Sequence, residues 1–155
     1  MMNIADFIEQ IEQIQKEQES IYHHAAVRFG ISDTVMWILY NIYESKEIYT
    51  QQELCKKCFW PKQTVNTAVA NLVKNGYVRL EMIPGTRNQK KILLTQAGIE
   101  LAQNTTEYVK AAELRAYGKL SKEELRMLLD VNQKLTSYLR EEMEKELKVT
   151  KGEQE

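Results

Sequence analysis

Apolar residues recur at three- and four-residue spacings along most of this chain, and the only two prolines, Pro61 and Pro84, both fall in its middle. At the start, Ile4, Phe7, Ile8, Ile11, Ile14, Ile21, Ala25 and Phe29 keep the helical period, which predicts a long amphipathic helix ending near Gly30. Val35, Ile38, Leu39 and Ile42 predict a second helix from about Asp33 to Ser45. Thr50 and Glu53 have the spacing of a capping box, in which hydroxyl and carboxylate satisfy each other's free backbone amides, and this opens a short helix through Cys58. Pro61 suits the first turn of a further helix, because its missing N–H is not needed there, and Asn75-Gly76 supplies the stop. Tyr77 to Ile83 and Gln89 to Leu94, joined by Pro84-Gly85-Thr86-Arg87-Asn88, predict a β-hairpin. Thr95 then caps a helix to about Gly118, and Ser121 with Glu124 opens a last helix to about Leu147.

Short helix, tight turn, second helix and hairpin, in that order, make a winged helix-turn-helix unit. The fold class that follows is mainly α with a small β-hairpin wing, carried between long N- and C-terminal helices. A chain of 155 residues suits one domain. Within it, 33–95 is the winged unit, 1–30 and 96–148 are a helical dimerisation region, and 149–155 is a frayed polar tail. In the last helix Leu125, Leu128, Leu129, Leu135, Leu139, Met143 and Leu147 form an apolar stripe. A domain this small has little left to cover that stripe and the one on the first helix, so the expectation is that they pair across a homodimer.

Composition changes this picture only through where the charges lie. The formal net charge is −1, yet Gln51 to Thr95 carries eight Lys or Arg against two acids, Glu53 and Glu81, a local balance of +6 against −7 elsewhere. A basic middle on an acidic scaffold is the distribution expected of a phosphate-binding module, since only the contacting face needs positive potential. The longest apolar run, Val35 to Tyr40, is too short for a bilayer and the N-terminus lacks a signal-peptide core, so no membrane partner and a cytoplasmic location are expected. Cys55 and Cys58 read as two small buried thiols rather than half a zinc site, because His23 and His24 lie far away and point in different directions on a helix. Lys56 and Lys57 beside them keep a redox-sensing reading open. There is no Gly-rich phosphate loop, no nucleophile with a neighbouring base and no carboxylate cluster with metal spacing, so neither an enzyme nor a cofactor is expected.

The helix after Pro61 carries the chemistry. Val65, Ala68, Val69, Leu72 and Val73 should face inward, while Lys62, Gln63, Thr64, Asn66, Thr67, Asn71 and Lys74 face out. That outer face holds amides, hydroxyls and cations but no acid, a set that pairs with base edges and phosphates in the major groove of double-stranded DNA. Arg87, Asn88 and Lys90 on the wing complete the expected DNA-binding set.

The order of these pieces resembles the multiple-antibiotic-resistance regulators, the MarR family. That family's winged unit runs through "t-x-x-E-L-a", a recognition helix, "G-hydrophobic-V" and a wing closing on "L-T-x-x-G". Here the matching residues are Thr50-Gln51-Gln52-Glu53-Leu54-Cys55, Pro61 to Asn75, Gly76-Tyr77-Val78 and Leu94-Thr95-Gln96-Ala97-Gly98. The resemblance implies a dimeric transcription regulator, a repressor, on a pseudo-palindromic operator, with recognition helices in successive major grooves. It departs at the wing, where the family's Asp-x-Arg is replaced by Thr86-Arg87-Asn88 and no acid braces the tip. Tyr22, Phe29, Trp37, Tyr40 and Tyr43 gather aromatic surface on the first two helices; similar proteins bind small aromatic effectors in this region, while core and dimer interface is the alternative. The rival to DNA reading is a winged fold used only for protein interaction or dimerisation.

Overall fold

The computed structural model describes residues 3–43, 45 and 49–152. The elements are α1 (Ile4–Phe29), α2 (Asp33–Tyr43), α3 (Gln51–Cys58), α4 (Lys62–Lys74), β1 (Val78–Met82), β2 (Lys90–Leu94), α5 (Gln96–Gln103), α6 (Thr106–Tyr117) and α7 (Lys122–Gly152). This is the mainly helical, winged helix-turn-helix architecture expected from the spacing of apolar residues, with long terminal helices. Contacts group the chain into two units, Met1–Ala111 and Ala112–Glu155. The winged unit, with its own core, lies within the first of these, and α7 makes up most of the second.

Local chemistry sets most of the element ends. The Asn3 side chain accepts from the Asp6 N–H at 3.0 Å to open α1, and Gly30 closes it in the left-handed conformation. Thr50 and Glu53 form the reciprocal capping box at α3, and Ser121 and Glu124 exchange the same pair of bonds at the start of α7. The last helix does not stop near Leu147 but runs to Gly152; of the expected tail 149–155, residues 153–155 lie outside the described set. Likewise α2 ends at Tyr43, and of the two further residues expected in it, Glu44 lies outside the described set and Ser45 is not helical.

Two expectations are corrected. The single helix expected from Thr95 to Gly118 breaks at Asn104-Thr105 into α5 and α6. There the Thr105 and Thr106 hydroxyls, both buried, donate to the Leu101 and Ala102 carbonyls at 2.6 and 3.0 Å. Such back-bonding competes with the helical ladder and lets the chain turn. Pro61 occupies the N-cap of α4 rather than its first turn, because its ψ of 143° is extended while its fixed φ of −58° leads into the helix.

The main core of the winged unit joins Val35, Ile38 and Leu39 of α2, Leu54 of α3, Val65, Ala68, Val69 and Leu72 of α4, Val78 and Ile92 of the hairpin, and Tyr49. A second cluster forms around Ala26, Met36 and Val109. The two strands are antiparallel with Val78 opposite Leu94, Leu80 opposite Ile92 and Met82 opposite Lys90. A connection not expected from the sequence anchors the wing: Thr50 pairs with Lys91, and the Ile92 N–H donates to the Tyr49 carbonyl at 2.8 Å. The segment leading into α3 therefore extends the hairpin by one short edge.

Candidate nucleic-acid interface

α4 is amphipathic because its apolar residues fall on one arc, and the buried set is Val65, Ala68, Val69 and Leu72. Val73, expected inward, is 39% exposed, since the core ends with Leu72 and Val73 lies one step beyond the arc. Lys62, Gln63, Thr64, Asn66, Thr67, Asn71 and Lys74 are all exposed, so the acid-free face is presented to solvent as one surface. At its start no side chain caps the helix, and at its end the Asn75 side chain donates to the Asn71 carbonyl at 2.8 Å. A shallow cavity of about 330 Å³ runs from Gln63, Thr64, Thr67 and Asn71 to Ser32 and Thr34 beside the start of α2. Ser32 and Thr34 thus extend the polar face of α4. Periodicity gave no signal for them, because they lie about thirty residues away in the chain.

The wing is built on a tight turn. Pro84 and Gly85 hold its central positions, Gly85 with φ of +79°, and the Thr86 N–H and hydroxyl both donate to the Ile83 carbonyl at 3.2 and 2.7 Å. Pro followed by a residue with positive φ is the type II pattern, which is why Gly stands there. Arg87, Asn88 and Lys90 project beyond it and are exposed. No acid sits at this tip, but one lies on the strand: Glu81 accepts from Arg79 at 2.7 Å and from Lys91 at 2.9 Å. These cations hold its carboxyl below the usual range, Lys91 chiefly and Arg79 next. The other acid of the basic middle, Glu53, is engaged by Thr50, whose N–H and hydroxyl donate to it at 2.6 and 2.9 Å. Both acids of the basic middle are therefore tied to structural partners.

The cysteines are half-buried, not fully buried as expected: Cys55 packs against the main core, and Cys58 receives the Asn41 amide at 3.7 Å. Burial pushes the Cys58 thiol up, outweighing the opposite pull of Lys57. Lys57 itself donates to the Tyr49 hydroxyl at 2.7 Å. Tyr22, Trp37 and Tyr40 form a partly buried row, with ring centroids 4.9 Å apart for Tyr22 and Trp37 and 5.4 Å for Trp37 and Tyr40. Phe29 stands apart from that row against Tyr108, at 6.3 Å. His23 Nδ1 lies 3.0 Å from each Asp33 carboxylate oxygen and ties α1 to the first turn of α2. Among the described residues no group of His, Cys, Asp and Glu could hold a metal, and no helix is long and apolar enough to cross a membrane.

Residues 29–87, from the end of α1 to the wing tip, match the family model described as MarR family. Over these residues the winged unit is similar to the MarR family. Solved MarR-family structures share the fold over nearly the whole chain. A regulator from Neisseria meningitidis has a TM-score of 0.77 at 17% identity, covering 93% of this chain and 99% of that one. A transcriptional regulator from Listeria monocytogenes, complexed with 26mer DNA, has a TM-score of 0.70 at 20% identity, covering 90% of each chain. The S. aureus MepR–DNA complex has a TM-score of 0.71 at 22% identity, covering 86% of this chain and 97% of that one. No match to a curated protein was found.

Proposed function

We propose that this chain is a homodimeric, sequence-specific DNA-binding transcription regulator of the MarR family that represses by occupying a pseudo-palindromic operator. The observation that carries the reading is the exposed, acid-free face of α4 beside a basic wing tip. Gln63, Asn66 and Thr67, near the start of α4, have donors and acceptors suited to base edges, while Lys62, Lys74, Arg87 and Lys90 suit phosphates or the minor groove. Thr64, Asn71 and Asn88 complete the contacting surface. Two DNA-bound relatives of the same fold support the same use of the unit. The exposed apolar residues of α1, among them Ile4, Phe7, Ile8 and Ile14, and those of α7, among them Leu128, Leu135, Leu139 and Met143, support a second copy as their cover.

The division of labour is testable by two substitutions on DNA selected from a random pool. Asn66→Ala is expected to cost about 1–3 kcal/mol on the selected sequence and almost nothing on random duplex, as for a lost base contact. Lys90→Ala weakens both alike and reduces the salt dependence by about one unit of slope. Equal losses on both DNAs for both variants would show that α4 does not read bases, and would favour a winged fold used for protein interaction.

In the same reading the cysteines are structural and the chain is no enzyme and needs no cofactor. A thiol pushed up by burial stays protonated near neutral pH and reacts slowly with peroxide. Replacing Cys55 with Ala and Cys58 with Val together leaves DNA affinity, and its response to peroxide, unchanged in binding titrations. Peroxide-driven release of DNA that disappears in this double variant would make the pair a redox sensor instead. Tyr22, Trp37 and Tyr40, with Phe29 nearby, serve first as packing between α1, α2 and α6. A small aromatic effector would act by displacing these rings, which a titration of Trp37 fluorescence would register.

A further inference from the structure

Phe59 stands in the turn between α3 and α4 in a conformation and an exposure that folding alone does not favour. Its φ is +53°, and among the described residues it is the one non-glycine with a positive φ. It closes α3 as a left-handed cap, its N–H donating to the Cys55 carbonyl, a position that Gly or Asn occupies without the Cβ clash. The residue is 92% exposed, the highest exposure of any large apolar residue among those described. The neighbouring aromatic behaves oppositely, for Trp60 packs against the main core. The turn thus sends one ring inward and holds the other out in water at a strained position. Observed strain of this kind points to a use for the side chain outside the fold.

The place of the ring indicates what it meets. Lys62 lies three positions after Phe59, so their Cα atoms lie within about 11 Å, beside the end of α4 that carries Gln63 and Asn66. Lys56 and Lys62 on either side are exposed, and the nearest acid, Glu53, is consumed by its capping box. An exposed aromatic among cations, next to a base-reading face, fits the one apolar group on the floor of the major groove, the thymine C5-methyl.

We propose that Phe59 is a specificity-determining residue whose ring packs on the methyl group of one thymine in each half-site of bound duplex DNA. The proposal rests on the DNA-reading function of α4. Its test uses the full-length chain and a sequence selected by it from random DNA, with each thymine of the half-sites replaced in turn by deoxyuridine, which lacks only the methyl. At one position per half-site the original protein is expected to lose about fivefold in affinity. Phe59→Gly should be weaker by a similar factor on the thymine duplex, lose nothing further with uracil at that position, bind random duplex unchanged and melt no lower than the original. Phe59→Asn, which also tolerates the left-handed cap, provides the same comparison if the glycine variant does not fold. Uracil effects of equal size in the original and the variants would overturn the proposal while leaving DNA reading by α4 intact. Failure of the original protein to select any sequence would overturn both.

Discussion

Replacing Gly98 with Ala lowers the thermal midpoint of the chain by about 5–10 °C. Gly98 lies in the first turn of α5, where its N–H donates to the Thr95 hydroxyl at 3.1 Å. A Cβ at this position would lie 1.9 Å from the Tyr77 carbonyl oxygen and 3.0 Å from Leu94 Cδ2. That carbonyl is not free to retreat, because it accepts the Thr95 N–H at 3.0 Å, while the Thr95 hydroxyl donates to the Gly76 carbonyl at 2.6 Å. Either α5 lifts off the base of the hairpin or β1 shifts and pulls on Val78 in the core. Overpacking of a well-filled site costs about 1–3 kcal/mol, and contact with fixed backbone puts this change at the upper end. The control is Ala97→Gly on the exposed side of the same turn, which should cost at most about 1 kcal/mol. Calorimetric or circular dichroism melts of both variants check the difference, and a Gly98→Ala protein as stable as the original would show that the hairpin base gives way easily.

Changing Leu139 to Asp should weaken the proposed homodimer by about a hundredfold or more. Leu139 belongs to the apolar stripe of α7 and is exposed in the single chain, as are Leu128, Leu135 and Met143. A two-fold interface uses the same residue from both copies, so each substitution is counted twice. A carboxylate left without a partner in such an interface costs at least about 1–3 kcal/mol per copy. The helix itself should survive, because Leu139 lies well inside α7 and an exposed Asp there costs only its modest helix propensity. Sedimentation across a concentration series separates the outcomes: a folded monomer is expected for the variant at concentrations where the original is dimeric. An original chain that remains monomeric at micromolar concentration, with full helical circular dichroism, would sink the dimer assignment altogether.

What the amino-acid order alone decided is most of what depends on neighbours within about four residues; the break between α5 and α6, made by Thr105 and Thr106 bonding four residues back, is the local exception. The period of Ile4, Phe7, Ile8 and Ile11 determined α1, and the pair Thr50 and Glu53 determined where α3 begins, because a helix registers on its own turns and satisfies its first amides locally. The same local rule divided α4 into a buried and an exposed face, and it failed only at Val73, where the extent of the core rather than the period decides. The polar face from Lys62 to Lys74 was therefore legible in the residue order by itself. Tertiary structure decided the features that join residues far apart in the chain. Tyr49 meets Ile92 to anchor the wing, and Ser32 and Thr34 come alongside Gln63 and Thr67. Gly98 touches the carbonyl of Tyr77, which gives a steric reason for a glycine that the sequence presents only as part of a motif. The left-handed turn at Phe59 belongs here too, because nothing in the run Cys58-Phe59-Trp60-Pro61 says which ring goes inward. That choice is made when Trp60 finds room against the core shared by α2, α3 and α4, and the geometry of that packing leaves Phe59 outside.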